Sequence, residues 1–174
     1  MVGIREMTST ELDRVIEVDV SEIGDIVYDY VEGNLVAQSE QWQRPTRTQE
    51  GWQPLIDRWR GYLSQGGVFL GAFDGEVLAG IAVVRFNLTV PQAELAGLFV
   101  SHDYRRQGIA VLLTDEVVHL AREDGAEELY VSATPSRSAV DFYLSQGFTI
   151  AQEVHPALYA LEPDDIHMVK YLVE

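Results

Sequence analysis

The chain has 174 residues, 47% hydrophobic and 23% charged, which suits a folded protein able to bury a core and excludes a disordered or fibrous one. Its 28 acidic residues against 12 basic ones give a formal charge of −16, which repels a phosphate backbone and argues against nucleic acid as a partner. With no cysteine there is no disulfide, no thiolate metal site and no intermediate on a cysteine sulfur.

A single domain over residues 1–174 is expected from the length. The opening "MVGIREMTSTELDR" brings charges within its first residues in place of an apolar leader, and no segment approaches the roughly 18 apolar residues of a membrane span. These features predict a cytoplasmic protein with no membrane association. The acidity, with one lysine beside eleven arginines, fits a salt-rich cytoplasm, a GC-rich genome or attraction of cationic substrates, and composition does not separate these.

In chain order, "IREMT" reads as a first strand, and Thr8 with Glu11 as a capping box opening a helix through Leu12, Val15 and Ile16. Ile23, Ile26, Val27, Tyr30 and Val31 repeat at helical spacing up to Gly33-Asn34 and predict a second helix, with "AQSEQWQRPTRTQE" as a loop. Thr48 caps a third helix carrying Trp52, Leu55, Ile56, Trp59 and Leu63 on one face, ending at Gly66-Gly67. "VFLGAF", Asp74-Gly75 and "EVLAGIAVVRF" form a hairpin signature, and "AELAGLFV" follows as a strand.

Ile109, Leu112, Leu113, Val117 and Leu120 mark a helix ending at Gly125. "ELYVSAT" is a strand, Pro135 to Gln146 a helix, and "FTIAQEV" and "IHMVKYLV" are closing strands. This order, with hairpins early and a β-α-β crossover late, predicts a mixed α/β fold.

Within it, "VSHDYRRQGIA" places Arg105 and Arg106 before Gly108 where a strand gives way to a helix. Such a turn exposes unpaired amides at the positive end of a helix dipole and makes an anion cradle. At a Debye length of about 8 Å, charges inside the cradle outweigh the distant acids. A lone Arg-Arg-x-Gly is also compatible with two solvated arginines and an ordinary turn. There is no G-x-G-x-x-G, and Gly75 and Gly80 are followed by Ile81-Ala82 instead of the lysine and hydroxyl residue of a P-loop.

The stretch resembles the acyl-CoA signature of the GCN5-related N-acetyltransferases, valine, four residues, then Arg/Gln-x-x-Gly-x-Gly/Ala. "AVDFYLSQGF" resembles the family's second signature, Ala-x-x-Phe-Tyr-x-x-x-Gly-Phe. The resemblance implies a mixed, mostly antiparallel seven-stranded sheet flanked by helices, with acetyl-CoA as acyl donor. It implies that main-chain groups of Arg105, Arg106, Gln107, Gly108, Ile109 and Ala110 bind the CoA pyrophosphate. It also implies that Leu98, Phe99 and Val100 pair with the pantetheine, and that the "ELYVSAT" strand splays from the "AELAGLFV" strand to admit the thioester. The family often has asparagine three residues before the alanine of the second signature. Here Ser136 stands before Ala139, a cofactor contact of shorter reach.

Phe142 reads as core. Tyr143 is the expected general acid, a phenol with pKa near 10 protonating a departing thiolate whose thiol has pKa near 8.5, a role the resemblance supports. An alkyl amine is neutral in only about one molecule per thousand at pH 7, so a proton acceptor is needed. Glu94 stands where the histone acetyltransferase branch of the family carries its base carboxylate, fourteen residues before Gly108. A solvated acid at an exposed strand start is the equal alternative, with Glu153 and His155 as substitutes. Glu162, Asp164 and Asp165, with the Trp42 loop, would wall an acceptor pocket that favours a cation, and halophilic surface charge or plain loop solvation accounts for these acids equally well. The histidines show no i,i+4 ligand pair, so no metal is expected.

The sequence thus predicts an acetyl-CoA-dependent N-acetyltransferase acting on a primary amine of a small molecule or peptide within a ternary complex, and it admits a homodimer. Two rivals stand beside it: an acyl-CoA-binding sensor on the same fold, and an acidic scaffold for a basic partner.

Overall fold

A computed structural model describes residues 1–173. Strand β1 (Val2–Met7) leads into a 3-10 helix over Ser9–Glu17, where the Thr8 amide donates to Glu11 Oε2 at 2.9 Å. The capping signal is therefore real, but the segment winds more tightly than an α-helix. Leu12 and Val15 are buried while Ile16 is exposed.

Residues 22–44 correct the sequence reading. In place of a helix and a loop they form a hairpin, β2 (Glu22–Val31) and β3 (Asn34–Arg44). Glu32 and Gly33, both at positive φ (+49° and +83°), make the two-residue turn whose twist suits paired strands. The β-branched and aromatic residues that mimic a helical stripe are not collectively buried, since Ile23, Tyr30 and Val31 are exposed. Pairing overrides the 3.6-residue spacing here.

Helix α1 (Gln49–Ser64) begins at Thr48, whose hydroxyl accepts from the Gly51 amide at 3.2 Å. Then come β4 (Val68–Asp74), β5 (Val77–Thr89), β6 (Gln92–Val100), α2 (Ile109–Glu123), β7 (Glu128–Ala133), α3 (Arg137–Ser145), β8 (Thr149–Ile150), α4 (Pro156–Leu161) and β9 (Ile166–Tyr171). The expected long strand "FTIAQEV" shrinks to β8. The segment after it contains α4, which opens on Pro156 with His155 Nδ1 accepting from the Leu158 amide at 3.4 Å.

The main sheet is seven-stranded and mostly antiparallel, in the order β1-β4-β5-β6-β7-β9-β8, with β2-β3 a separate two-stranded ribbon. Alternation along β5 feeds two cores: Ala82 and Val84 face Leu113 and Val117 of α2, while Ile81 and Val83 face Trp52 and Trp59 of α1. A Cβ at Gly97 would fall 2.6 Å from Trp59 Cζ2, so glycine there lets the indole pack flush on β6. Helices cover both faces, and what remains open is the seam between β6 and β7.

Candidate active site

Strands β6 and β7 are parallel partners only at Gln92, Ala93 and Glu94, opposite Glu128, Leu129 and Tyr130. Beyond Glu94 they separate, as the expected splay requires. From Leu95 to Val100, β6 stays bonded to β5 alone, with a bulge at Ala96, and its other edge faces an opening.

At the end of β6 the chain turns through a short 3-10 segment, His102–Tyr104, into α2. Arg106 (φ +61°) and Gly108 (φ +82°) bracket Gln107, alternating the backbone's hand so that successive amides point to one side. None of the amides from Arg106 to Val111 donates to an acceptor among the described residues; the first helical bond runs from the Leu112 amide to the Gly108 carbonyl at 3.0 Å. A Cβ on Gly108 would meet nothing within 4 Å, so glycine is favoured there by the left-handed backbone and not by space.

The two arginines divide the labour differently from the sequence reading. The Arg105 guanidinium is spent on the fold, donating from Nε to the Val100 carbonyl at 3.1 Å and from Nη1 to the Ser21 carbonyl at 2.8 Å. It ties the turn to the segment before β2. Arg106 is exposed, with no side-chain partner among the described residues, and is the one free to meet an anion.

These features border a cleft of about 380 Å³ that Leu98, Phe99, Val100, Arg105, Arg106, Gly108, Ile109, Ala110, Ser136 and Tyr143 all line. Gln107 is exposed and outside it, its amide side chain donating to the Asp103 carbonyl at 3.1 Å. Ser136 is buried and serves as N-cap of α3, its Oγ accepting from the Ala139 amide at 3.3 Å. The hairpin reaches the same point, since the Tyr28 amide donates to the Pro135 carbonyl at 2.7 Å and its hydroxyl to Asp141 at 2.7 Å.

A second cleft of about 290 Å³ also reaches Leu98, Phe99, Thr134, Ala139 and Tyr143. The two meet across the β6-β7 opening, and Tyr143 is common to both. Its side chain is 7% exposed and packs on Phe142 and Phe148, while its hydroxyl has no hydrogen-bond partner among the described residues. Burial pushes the phenol pKa up, and the nearby Asp165 carboxylate pushes it further.

Glu94 lines only the second cleft. It is 5% exposed, which settles its setting against the solvated alternative, and Arg85 binds its carboxylate through Nε. Burial raises its pKa, with the Arg85 cation pulling the other way. Asp165, which the sequence placed only in an acidic wall, comes close to Tyr143 and is pushed up to about 6 by burial and by Glu162 and Asp164. Arg47 and Arg58 also reach this cleft; sequence reasoning named neither, because neither the polar connection carrying Arg47 nor the apolar stripe of α1 around Arg58 singles them out. Glu153 lines neither cleft. Nor does His155, whose Nε2 lies 3.0 Å from Thr89 Oγ1.

Among the described residues no group of three acidic or histidine side chains could hold a metal, and no helix is long and apolar enough to cross a membrane.

The model of the acetyltransferase (GNAT) family matches residues 32–148. No curated protein matches the chain by sequence. Among solved structures, nourseothricin acetyltransferase superposes with a TM-score of 0.76 at 18% identity, covering 99% of each chain. A Bacillus anthracis protein assigned as a streptothricin acetyltransferase, solved with acetyl coenzyme A, gives 0.74 at 17% identity over 98% of each. The PaiA N-acetyltransferase of Thermoplasma acidophilum, solved with coenzyme A, gives 0.64 at 18%, covering 98% of this chain and 99% of that one.

Proposed function

This chain belongs to the GNAT family of acetyltransferases, and from that premise we propose that it is an acetyl-CoA-dependent N-acetyltransferase acting on a primary amine in a ternary complex. The observation that carries the proposal is the run of amides from Arg106 to Val111, unpartnered among the described residues, at the mouth of the β6-β7 opening. A diphosphate satisfies several such donors at once and gains from the α2 dipole, with Arg106 adding a full charge. The free edge of β6 at Leu98 to Val100 offers main-chain groups to the amide-bearing arm of CoA. Ser136 contributes by holding the start of α3 in place through its cap.

Bound acetyl-CoA supplies the activated acetyl thioester. The amine, entering from the second cleft, attacks the carbonyl carbon in the opening, and an amide on the β6 edge near Val100 stabilises the developing oxyanion. Tyr143 gives its proton to the departing thiolate and regains one from solvent; its raised pKa keeps it protonated until a thiolate is adjacent. Glu94 takes the amine's proton, directly or through water, its basicity increased by burial.

The test is release of CoA thiol from acetyl-CoA across polyamines, aminoglycosides, amino acids and peptide amines, beside calorimetry of acetyl-CoA alone. Acetyl-CoA binding together with saturable release for one acceptor class is expected. Binding without release would turn the account to the acyl-CoA sensor, and absence of binding would refute both.

A further inference from the structure

The charged side chains around the second cleft fall into pairs, with two left over. Arg44 Nη2 lies 2.8 Å from Glu22 and its Nε donates to the Val20 carbonyl at 3.2 Å. Arg58 meets Glu162 at 3.4 Å, and Arg85 binds Glu94. Arg47 has no carboxylate partner among the described residues. Its Nε is buried with no acceptor, and its one hydrogen bond, from Nη1 to the Gly51 carbonyl, is long at 3.4 Å. The guanidinium sits 5.3 Å from the Trp52 ring centroid, a contact that restrains it. The second unmatched charge is Asp165, which has no cationic partner among the described residues and whose nearest charged neighbours include Glu162 and Asp164.

A half-buried guanidinium with an unsatisfied Nε is costly, and the Arg44 cation beside it adds repulsion. In a chain with 28 acidic residues, a carboxylate for it would be easy to supply, and the fold supplies none there. The acids of the 162–165 segment taken alone favour a cation. Arg47, carried on the connection between β3 and α1, changes the complement to one positive and one negative charge.

We propose that the acceptor is a small primary amine that also bears a carboxylate, with the carboxylate on Arg47 and the amino group directed by Asp165 toward Tyr143. The inference rests on the acetyltransferase reading above. A carboxylate matches the guanidinium's planar fork and a single free positive charge. A phosphate would bring a second negative charge into a cleft that already holds Glu94, Glu162 and Asp165. A peptide amine, whose neighbouring carboxyl is an amide, lacks the group Arg47 awaits. In the transfer itself the amine nitrogen forms the N–C bond, the C–S bond breaks, the amine's proton leaves to Glu94 and the thiolate takes one from Tyr143. The acceptor's carboxylate is unchanged.

The experiment compares amino acids with their carboxamides and with the corresponding decarboxylated amines, using purified full-length protein whose acetyl-CoA affinity has been measured first. Carboxylate-bearing acceptors should exceed their matched carboxamides by about 10- to 100-fold in kcat/KM. Arg47→Gln should bring that ratio close to one through KM, with the Kd for acetyl-CoA unchanged, and Arg47→Lys should retain part of the preference. Equal or better use of the carboxamides overturns the proposal. So does a preference that survives Arg47→Gln, a loss of acetyl-CoA affinity in that variant, or failure of every carboxylate-bearing amine to bind the acetyl-CoA complex. The failure of wild-type protein to bind acetyl-CoA is a separate result, and it would remove the acetyltransferase reading itself.

Discussion

The two clefts that meet at Tyr143 are built from different material. On the α2 side the available donors are main-chain amides, from Arg106 to Val111, set by a left-handed Arg106 and Gly108 in one continuous stretch. On the other side they are side chains gathered from the connection before α1, from α1, from β6 and from the turn before β9. Backbone chemistry binds whatever anion fits the turn, which suits a cosubstrate shared across a family. In the proposed reaction, side-chain chemistry would set which acceptor is taken. The difference predicts that substitutions on one side leave the other side's constants nearly untouched.

The sharpest break in that comparison should come at the junction. Tyr143→Phe is expected to lower turnover by about 10²- to 10⁴-fold with the acetyl-CoA Kd unchanged, as rapid-quench and calorimetry would show together. Full turnover in that variant would remove the phenol from the chemistry. Next in size is Gly108→Ala. The new Cβ has room, but φ of +82° strains it, and the turn is expected to relax with a roughly tenfold loss of acetyl-CoA affinity. The KM for the acceptor should hold within a factor of about two.

Asp165 sharpens the contrast from the acceptor side. Its pKa lies near 6, above the 3.8 of an ordinary aspartate, so the folded state binds the proton more tightly than the unfolded chain does. The associated stability is fully present below about pH 3.8 and is lost as pH rises through about 6. Asp165→Asn should therefore stabilise the protein at pH 7 by about 1–2 kcal/mol, a few degrees in Tm, with no gain at pH 3.5, while acceptor turnover falls. A variant equally stabilised at both pH values would contradict the charge argument. The smallest effect is at Ser136→Ala, where loss of the α3 cap should cost about 1 kcal/mol of stability and leave the acetyl-CoA Kd within about twofold. A tenfold loss of affinity there would restore Ser136 as a direct cofactor ligand.

The same division explains what could be read from the chain alone. The backbone shape of the α2 turn is legible because it lies in consecutive residues, Arg105 to Ala110, as are Thr48 as a cap and the place of Tyr143 on a helix. Glu94 was legible as a position but not as an environment, since its burial depends on Arg85 and on the packing of the β6-β7 seam. Arg47 and Arg58 carry no local signal, and only tertiary folding brings them to one cleft with Asp165. The structural task of the Arg105 guanidinium is not legible in the chain, because two of its partners, the Asp19 and Ser21 carbonyls, lie more than 80 residues away. The β2-β3 hairpin was missed for a related reason. Ile23, Ile26, Val27, Tyr30 and Val31 fit a helix by spacing, and the pairing with residues 34–44 that decides their conformation is not visible in the apolar pattern.

The claim that supports the rest is that the amides at the start of α2 receive the CoA diphosphate. An amide-resolved NMR titration of ¹⁵N-labelled protein with CoA, repeated with pantetheine, which lacks the diphosphate, tests it directly. Saturable shifts should be largest for the amides of Arg106 to Val111 with CoA and nearly absent there with pantetheine. Shifts that spare those amides while CoA binds elsewhere, or equal shifts with pantetheine, would contradict the account.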